Sequence, residues 1–597
     1  MKEFFKYTLA TICGIILLSI VGGIIFMISL VGIVASGNKT TTAPENSVFV
    51  LKLNGAVQER ANEDDPFSIL MGEIDMDVMG LDDIVACIRK AKDEENIKGI
   101  YIEGGISSFD APATAQQIRD ALKDFKKSGK WIVAYSDQYM QASYYVASVA
   151  DKVFLNRTGM LDFKGLGGKG EYMKGLYDKL GIKYQVAKVG KYKSYVERST
   201  MTSMSDYDRE QREAYTQGIW QHWLSDIAES RKVTAEQLNQ LANDSIIGLA
   251  DANDYVTAKL VDKLMYPDEV SKEIKALLKI DADKEISQLT LADMINLPKK
   301  DKDKGEKIAV YYAYGSIVDT EATGLFSSDH DIVGKTTVED LNKLAKNDDV
   351  KAVVLRVNSG GGSANASEQI WHAIKQLKTK KPVVVSMGGA AASGGYMISA
   401  AADYIFAEPT TITGSIGIFG MIPNFSGLVT DKLGVTFDGV KTNKYTDYEE
   451  NLVLGKENSA EMRYMQSYVD RGYINFLDIV ADGRKMKRDA VDSIAQGRVW
   501  LAKDALKIKL VDKLGSLDDA VKKAAELAKV KEYHMAAYPA PASWFDQLLS
   551  SSDKKGSYLD DELRQTLGEL YQPLLELRRD MQCSRLQAKF PYQLEIK

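Results

Sequence analysis

The sequence predicts an α/β fold with parallel strands, written twice along one chain and preceded by one transmembrane helix. Three observations carry that expectation. Short β-branched runs alternate with stretches whose apolar residues recur at helical spacing. The whole series of segments recurs about 250 residues later. A long uncharged apolar stretch opens the chain.

That stretch runs from Tyr7 to Val34, long enough to span a bilayer as a helix. Lys2 and Lys6 precede it, which keeps the N-terminus (1–6) in the cytoplasm and places everything after about Gly37 across the membrane. A cleaved signal peptide is the alternative. The exit VASGNKT is only a weak cleavage site, which favours a retained anchor over 7–34.

The repeats follow. VFVLKLNGAV (48–57) matches IAVYYAYGSI (308–317), and IKGIYIEGG (97–105) matches VKAVVLRVN (350–358). Residues 131–154 lie without gaps on 383–406, and DKLGIKYQVAKVGKYKSY (178–195) lies on DKLGVTFDGVKTNKYTDY (431–448). KLVDKL recurs at 259–264 and 509–514. The predicted organisation is a first repeat over 47–277, a charged linker within 278–306, a second repeat over 307–530 and a tail over 531–597. In the tail, Leu559, Leu563, Leu567 and Leu570 have helical spacing, which reads as packing against an assembly.

In the second repeat, Ile370, Ile374 and Leu377 mark the buried stripe of a helix after the loop NSGGGSA. His372 falls off that stripe and reads as a solvated residue. Val383–Val385 then read as a buried strand, followed by small residues, Ser393, two glycines and an apolar segment from Tyr396 to Ala402. A serine on a strand-to-helix turn is lifted out of the sheet, where backbone N–H groups face whatever it attacks. A serine that merely caps a helix is the other reading.

The duplication shows which copy kept which group. Ser393 falls on Gln141 and Gly394 on Ala142, and the run Gly360–Gly362 has no counterpart after Gly105. Conversely, Lys193 falls on Thr446. A serine needs a base to become a nucleophile, and no histidine lies between His372 and His534. A lysine serves if burial keeps it neutral. By composition alone, Lys193 beside Lys188 and Lys191 also reads as an exposed lysine.

Length and composition bound the rest. A chain of 597 residues is too long for one core, and a net charge of -7 gives no basic surface for nucleic acid. Cys13, Cys87 and Cys583 are scattered, as are His222, His330, His372 and His534, so neither a disulfide framework nor a metal-ligand spacing can be drawn.

SMGGAAASGGYMISAAAD, TGSIGIFG, RVNSGGGSANASE and GKYKSYVE together resemble the signal peptide peptidase A (protease IV) family in its long, duplicated bacterial form, over about residues 40–530. The resemblance implies Clp-protease/crotonase-like spirals of ββα units and a membrane-anchored serine endopeptidase of the bacterial inner membrane, with its catalytic domains extracytoplasmic. It implies Ser393 as nucleophile, Lys193 as general base and Ser415 as the residue that holds the lysine. It further implies a homotetramer that degrades apolar signal-peptide remnants, with no metal or cofactor. The family loop S-P-G-G-S is here Ser359-Gly360-Gly361-Gly362-Ser363, and the oxyanion N–H groups are assigned to Gly361 and Gly394. Two rival readings remain: a crotonase-type acyl-CoA enzyme, which would need neither the serine nor an anchor, and a non-catalytic membrane scaffold.

Overall fold

Each β-branched run becomes an interior strand because its branched side chains pack on both faces of a parallel sheet. The computed structural model describes residues 6–7, 14, 21–22, 42–61, 78–244, 251–298, 304–320, 330–456, 459–539 and 587–589. Among them no helix is long and apolar enough to cross a membrane. The expected anchor over 7–34, apart from isolated positions, and the leucine series 559–570 lie outside the described residues.

In the first repeat, a parallel sheet runs in the order Val78–Gly80, Ser47–Gln58, Ile97–Phe109, Trp131–Tyr139, Lys152–Leu161, Lys263–Leu264. The second repeat rebuilds it. Glu306–Tyr314, Val350–Ser359 and Val383–Ala392 are neighbouring parallel strands, with Tyr404–Ala407 beside the last and Lys513–Leu514 beside that. The two KLVDKL segments thus end in the same place in each copy. Helix Ala364–Lys378 buries Ile370, Ile374 and Leu377 as their spacing predicts, and His372 is exposed.

The repeats share more than a likeness. Ile412, Val499 and Leu501 of the second pack into the same buried cluster as Trp223, Tyr145 and Leu161 of the first. A third sheet stitches the copies together in the order Asp331–Val333, Ser316–Val318, Gly361–Ser363, Gln587–Lys589, Phe419–Asn424, Lys183–Lys188. Its last strand belongs to the first repeat and pairs antiparallel with Phe419–Asn424 of the second.

The structure moves two predicted boundaries. Gln288–Leu289 adds to the first sheet, and Leu289, Met294 and Leu297 enter its core, with Lys90 Nζ donating to the Met294, Ile295 and Leu297 carbonyls. The first unit therefore continues to about Leu297, well into the predicted linker. Tyr533–Tyr538 pairs with Glu306–Tyr314, so the second unit continues past 530. Sequence similarity between the copies faded before the fold did.

Candidate active site

The strand Val383–Ala392 runs directly into Ser393, and the helix Gly394–Ser399 starts at the next residue. The turn between them holds Ser393 at φ 55, ψ -114, a sparsely populated region for a side chain with a Cβ. Such strain costs on the order of 1–3 kcal/mol and persists only where the surroundings fix it. Here the Ser393 N–H donates to the Gly414 carbonyl at 2.8 Å, and its own carbonyl accepts from the Met397 N–H at 2.9 Å. These two bonds hold the turn that carries the hydroxyl.

Lys193 comes from the first repeat of the same chain. Its Nζ lies 2.8 Å from Ser393 Oγ, 3.0 Å from Ser415 Oγ and 3.1 Å from the Ser415 carbonyl oxygen. Lys193, Ser393 and Ser415 are all buried. Among the described residues no carboxylate pairs with the lysine, and burial pulls its pKa down from 10.5 to about 7. The Phe419 ring, 6.0 Å from Nζ, forms part of its apolar wall.

The loop that carries Lys193 is seated on the second repeat. Val189 N–H donates to the Ile418 carbonyl and Tyr192 N–H to the Gln496 carbonyl. Arg498 donates to Tyr192 Oη at 2.9 Å. Beneath the loop, Ser194 donates to buried Asp208 at 2.6 Å, and Gln211 links the Tyr192 carbonyl to the Val499 N–H. Sequence reading missed this support; Asp208 and Gln211 stand on one face of the helix Asp206–Arg231, three residues apart, which is the only signal they offered.

The loop before helix Ala364–Lys378 corrects one assignment. Gly361 takes φ 93, which a glycine adopts at no steric cost, but its N–H donates to Ser359 Oγ at 3.1 Å. Ser359 Oγ in turn donates to the Gly315 carbonyl at 2.6 Å. The Gly361 N–H is therefore spent within the turn and is not free for an oxyanion. Gly394, which follows Ser393, borders the site, and a Cβ added to Gly361 would lie 2.6 Å from the Gly394 nitrogen.

The counterpart position shows the other outcome of the duplication. Gln141 Oε1 accepts from the Lys164 and Gly165 N–H groups at 2.8 and 2.9 Å, and its amide donates to the Gly165 carbonyl. A structural amide occupies the place that holds the hydroxyl in the second copy. Three of the four histidines are engaged elsewhere, His222 with Lys503 and Asp226, His330 with Tyr314 and His534 with the Gly305 carbonyl, and His372 is exposed on its helix.

A buried serine on a strained strand-to-helix turn, with an amine at hydrogen-bond distance and two glycines beside it, defines a serine peptidase. The chain belongs to Peptidase family S49, whose family model matches residues 124–281 and again 375–531. A Clp protease model also matches residues 303–412. Protease 4 of Salmonella typhi is 39% identical over 477 residues, covering 79% of this chain and 75% of that protein. Protease 4 of Haemophilus influenzae is 34% identical over 585 residues, covering 94% and 92%. The chloroplastic serine protease SPPA of Arabidopsis thaliana is 28% identical over 491 residues, covering 81% and 71%. The chain thus belongs to the signal peptide peptidase A (protease IV) group of serine peptidases, as the motifs suggested. Among solved structures, a ClpP1 mutant from Listeria monocytogenes aligns with 36% of this chain and 94% of its own at a TM-score of 0.24 and 14% identity, too low to argue from.

Proposed function

We propose that the chain is a membrane-anchored endopeptidase working through a Ser393–Lys193 dyad on apolar signal-peptide remnants. The observation that carries the reading is the 2.8 Å approach of Lys193 Nζ to Ser393 Oγ in a buried site without a carboxylate. A neutral amine there accepts the serine proton while Oγ adds to a peptide carbonyl, then returns the proton to the leaving amine; water finally hydrolyses the acyl-enzyme. Ser415 fixes the amine from the opposite side. The Gly394 N–H group receives the oxyanion, worth about 3 kcal/mol of transition-state stabilisation by comparison with measured donors.

The substrate class follows from two features. The strands Gly361–Ser363 and Phe419–Asn424 face each other across the gap filled by Gln587–Lys589, so an extended peptide can add between them by main-chain pairing. The uncharged stretch 7–34 would hold this cleft against an extracytoplasmic membrane face, where apolar remnants collect. The test uses the full chain extracted in detergent. It should cleave a synthetic apolar signal peptide faster than a polar peptide of equal length, and a fluorophosphonate on Ser393 should block both. Full-length chain recovered soluble without detergent would overturn the anchor.

A head-to-tail ring of identical chains, four by family resemblance, completes the proposal. Within the chain, Lys183–Lys188 pairs with Phe419–Asn424. By the repeat alignment their counterparts are residues 436–441 and 166–171, both without strand partners among the described residues. Phe437 is 61% and Val440 101% exposed there. One copy's 436–441 fits another's 166–171 as the intramolecular pair fits, and a contact between unlike surfaces closes into a ring when its rotation permits. Deleting 437–440 should yield monomers by light scattering; an unchanged assembly would exclude this contact.

A further inference from the structure

One buried amide joins the part of the site that carries the base to the part that carries the nucleophile. Gln211 Oε1 accepts the Val499 N–H of the second repeat at 3.0 Å. Its Nε2 lies 3.1 Å from the carbonyl oxygen of Tyr192, the residue before Lys193, and 3.1 Å from Oγ of Ser194, the residue after it. Asp208 Oδ1 accepts the Ser194 hydroxyl at 2.6 Å and stands 3.1 Å from the same amide nitrogen. The far end of the bridge reaches the backbone that fixes the two serines. Val499 stands opposite Gly414 in an antiparallel pair, and the Gly414 carbonyl accepts the Ser393 N–H. The Arg498 carbonyl, one residue before Val499, accepts the Ser415 N–H at 2.7 Å.

The duplication shows that the fold itself does not call for these polar groups. Helices Asp206–Arg231 and Ala460–Arg484 each open on a serine that accepts the N–H three residues on, Ser205 from Asp208 and Ser459 from Met462. Counted from those caps, Gln211 falls on Met465. Both methionines are buried, as Asp208 and Gln211 are. The copy with the methionines has Thr446 where the other has Lys193. A buried carboxylate and amide cost free energy unless their polar atoms are satisfied, and methionine at the same depth carries no such cost. The polar pair therefore goes with the lysine and not with the helix.

We infer that Gln211 is a positioning residue for the base, holding the backbone on both sides of Lys193 in register with the strand that fixes Ser393 and Ser415. This rests on the dyad reading above. The amine itself meets Ser393 and Ser415, so Gln211 acts on it through residues 192 and 194. Lysine reaches the serine along a flexible four-carbon stem, and its amine keeps one place only if the root of that stem is held. Asp208 holds the same root through Ser194, and its other oxygen accepts from Arg212 Nε at 2.8 Å, so the buried carboxylate is satisfied. Because the bridge runs from one repeat to the other, the base takes its working place only when the two copies are docked.

The experiment measures kcat, KM and their pH dependence with a fluorogenic apolar peptide on the full-length chain. Gln211→Met takes the residue of the other copy, and Ser194→Ala removes one hydroxyl from the same bridge. Each should lower kcat by roughly 10- to 100-fold with KM little changed, as a small misplacement of a reacting group does. The midpoint of the kcat/KM profile should move above about 7, because an amine released from its buried place regains water. Combined, the two substitutions should cost little more than either alone, since both break one bridge. Wild-type kcat and midpoint in both variants, beside an inactive Lys193→Ala, would reduce the bridge to packing and overturn the inference while leaving the dyad standing. Additive losses with an unmoved midpoint would overturn it as well. Near-normal turnover by Lys193→Ala would overturn both readings.

Discussion

Lys193→Arg is expected to remove peptidase activity as fully as Ser393→Ala, each by about 10⁴-fold or more in kcat. Arginine keeps the positive charge but cannot give up its proton at working pH, so it separates base chemistry from charge placement. The pH profile of the wild type tests the same point. Burial lowers the Lys193 pKa to about 7. Below that pH the amine is protonated and cannot accept the serine proton, so kcat/KM should fall about tenfold per pH unit, and level off above it. Stability carries the imprint of the same shift in a higher pH window. The unfolded chain holds the lysine proton up to its ordinary 10.5, so between about 7 and 10.5 it binds more protons than the folded chain. Folding stability therefore rises with pH across that window, and the burial penalty is fully present below it. Lys193→Met should be inactive yet more stable than wild type, with the gap widening as pH falls from 10.5 towards 7. A Lys193→Arg chain with near-normal turnover would refute the assignment.

Much of this site was legible before any coordinates. The valine run, the small residues after it and the substitution of Gln141 for Ser393 in the other copy point to one turn, because strand periodicity and duplication are local signals. The pairing of Lys193 with Ser393 needed the family resemblance, since 200 residues separate them and no periodicity links them. Gly361 was misassigned because three consecutive glycines look alike in sequence; only the hydrogen bond that its N–H donates to Ser359 Oγ distinguishes it. The strand Gln587–Lys589 gave no warning either. Three residues are too few for a pattern, and their partners lie more than 160 positions away. Arg356 did leave a trace: its counterpart in the first copy is Glu103, a surface residue paired with Lys52, and such divergence within matched strands marks a position with a new task.

That task makes Glu59→Ala the most destabilising single substitution expected here. Arg356 Nε donates to Glu59 Oε1 at 2.6 Å, and both side chains are almost wholly buried. The guanidinium also reaches Gln117 Oε1 at 2.9 Å and Ser386 Oγ at 3.0 Å. Asn358 donates to Glu59 Oε2 and to Asp110 Oδ2, both at 3.1 Å, while its own oxygen accepts the Ala390 N–H at 3.1 Å. Glu59, Asp110 and Gln117 belong to the first repeat and the others to the second, so the network bolts the copies together directly under the strand that leads into Ser393. Removing one member of a buried pair leaves an unpaired charge, at a cost of about 3–5 kcal/mol. Calorimetry should show the transition of Glu59→Ala lowered by roughly 6–20 °C, taking about 2–4 °C per kcal/mol for a unit of this size. Replacing both partners, as Glu59→Leu with Arg356→Met, should recover much of the loss because no charge is then stranded. Peptidase activity should not recover in step. Asn358 would still lack Glu59, and the Ala390 segment that carries the nucleophile would lose its anchor. A Glu59→Ala chain within about 1 kcal/mol of wild type would show that the pair contributes no more than a surface ion pair does.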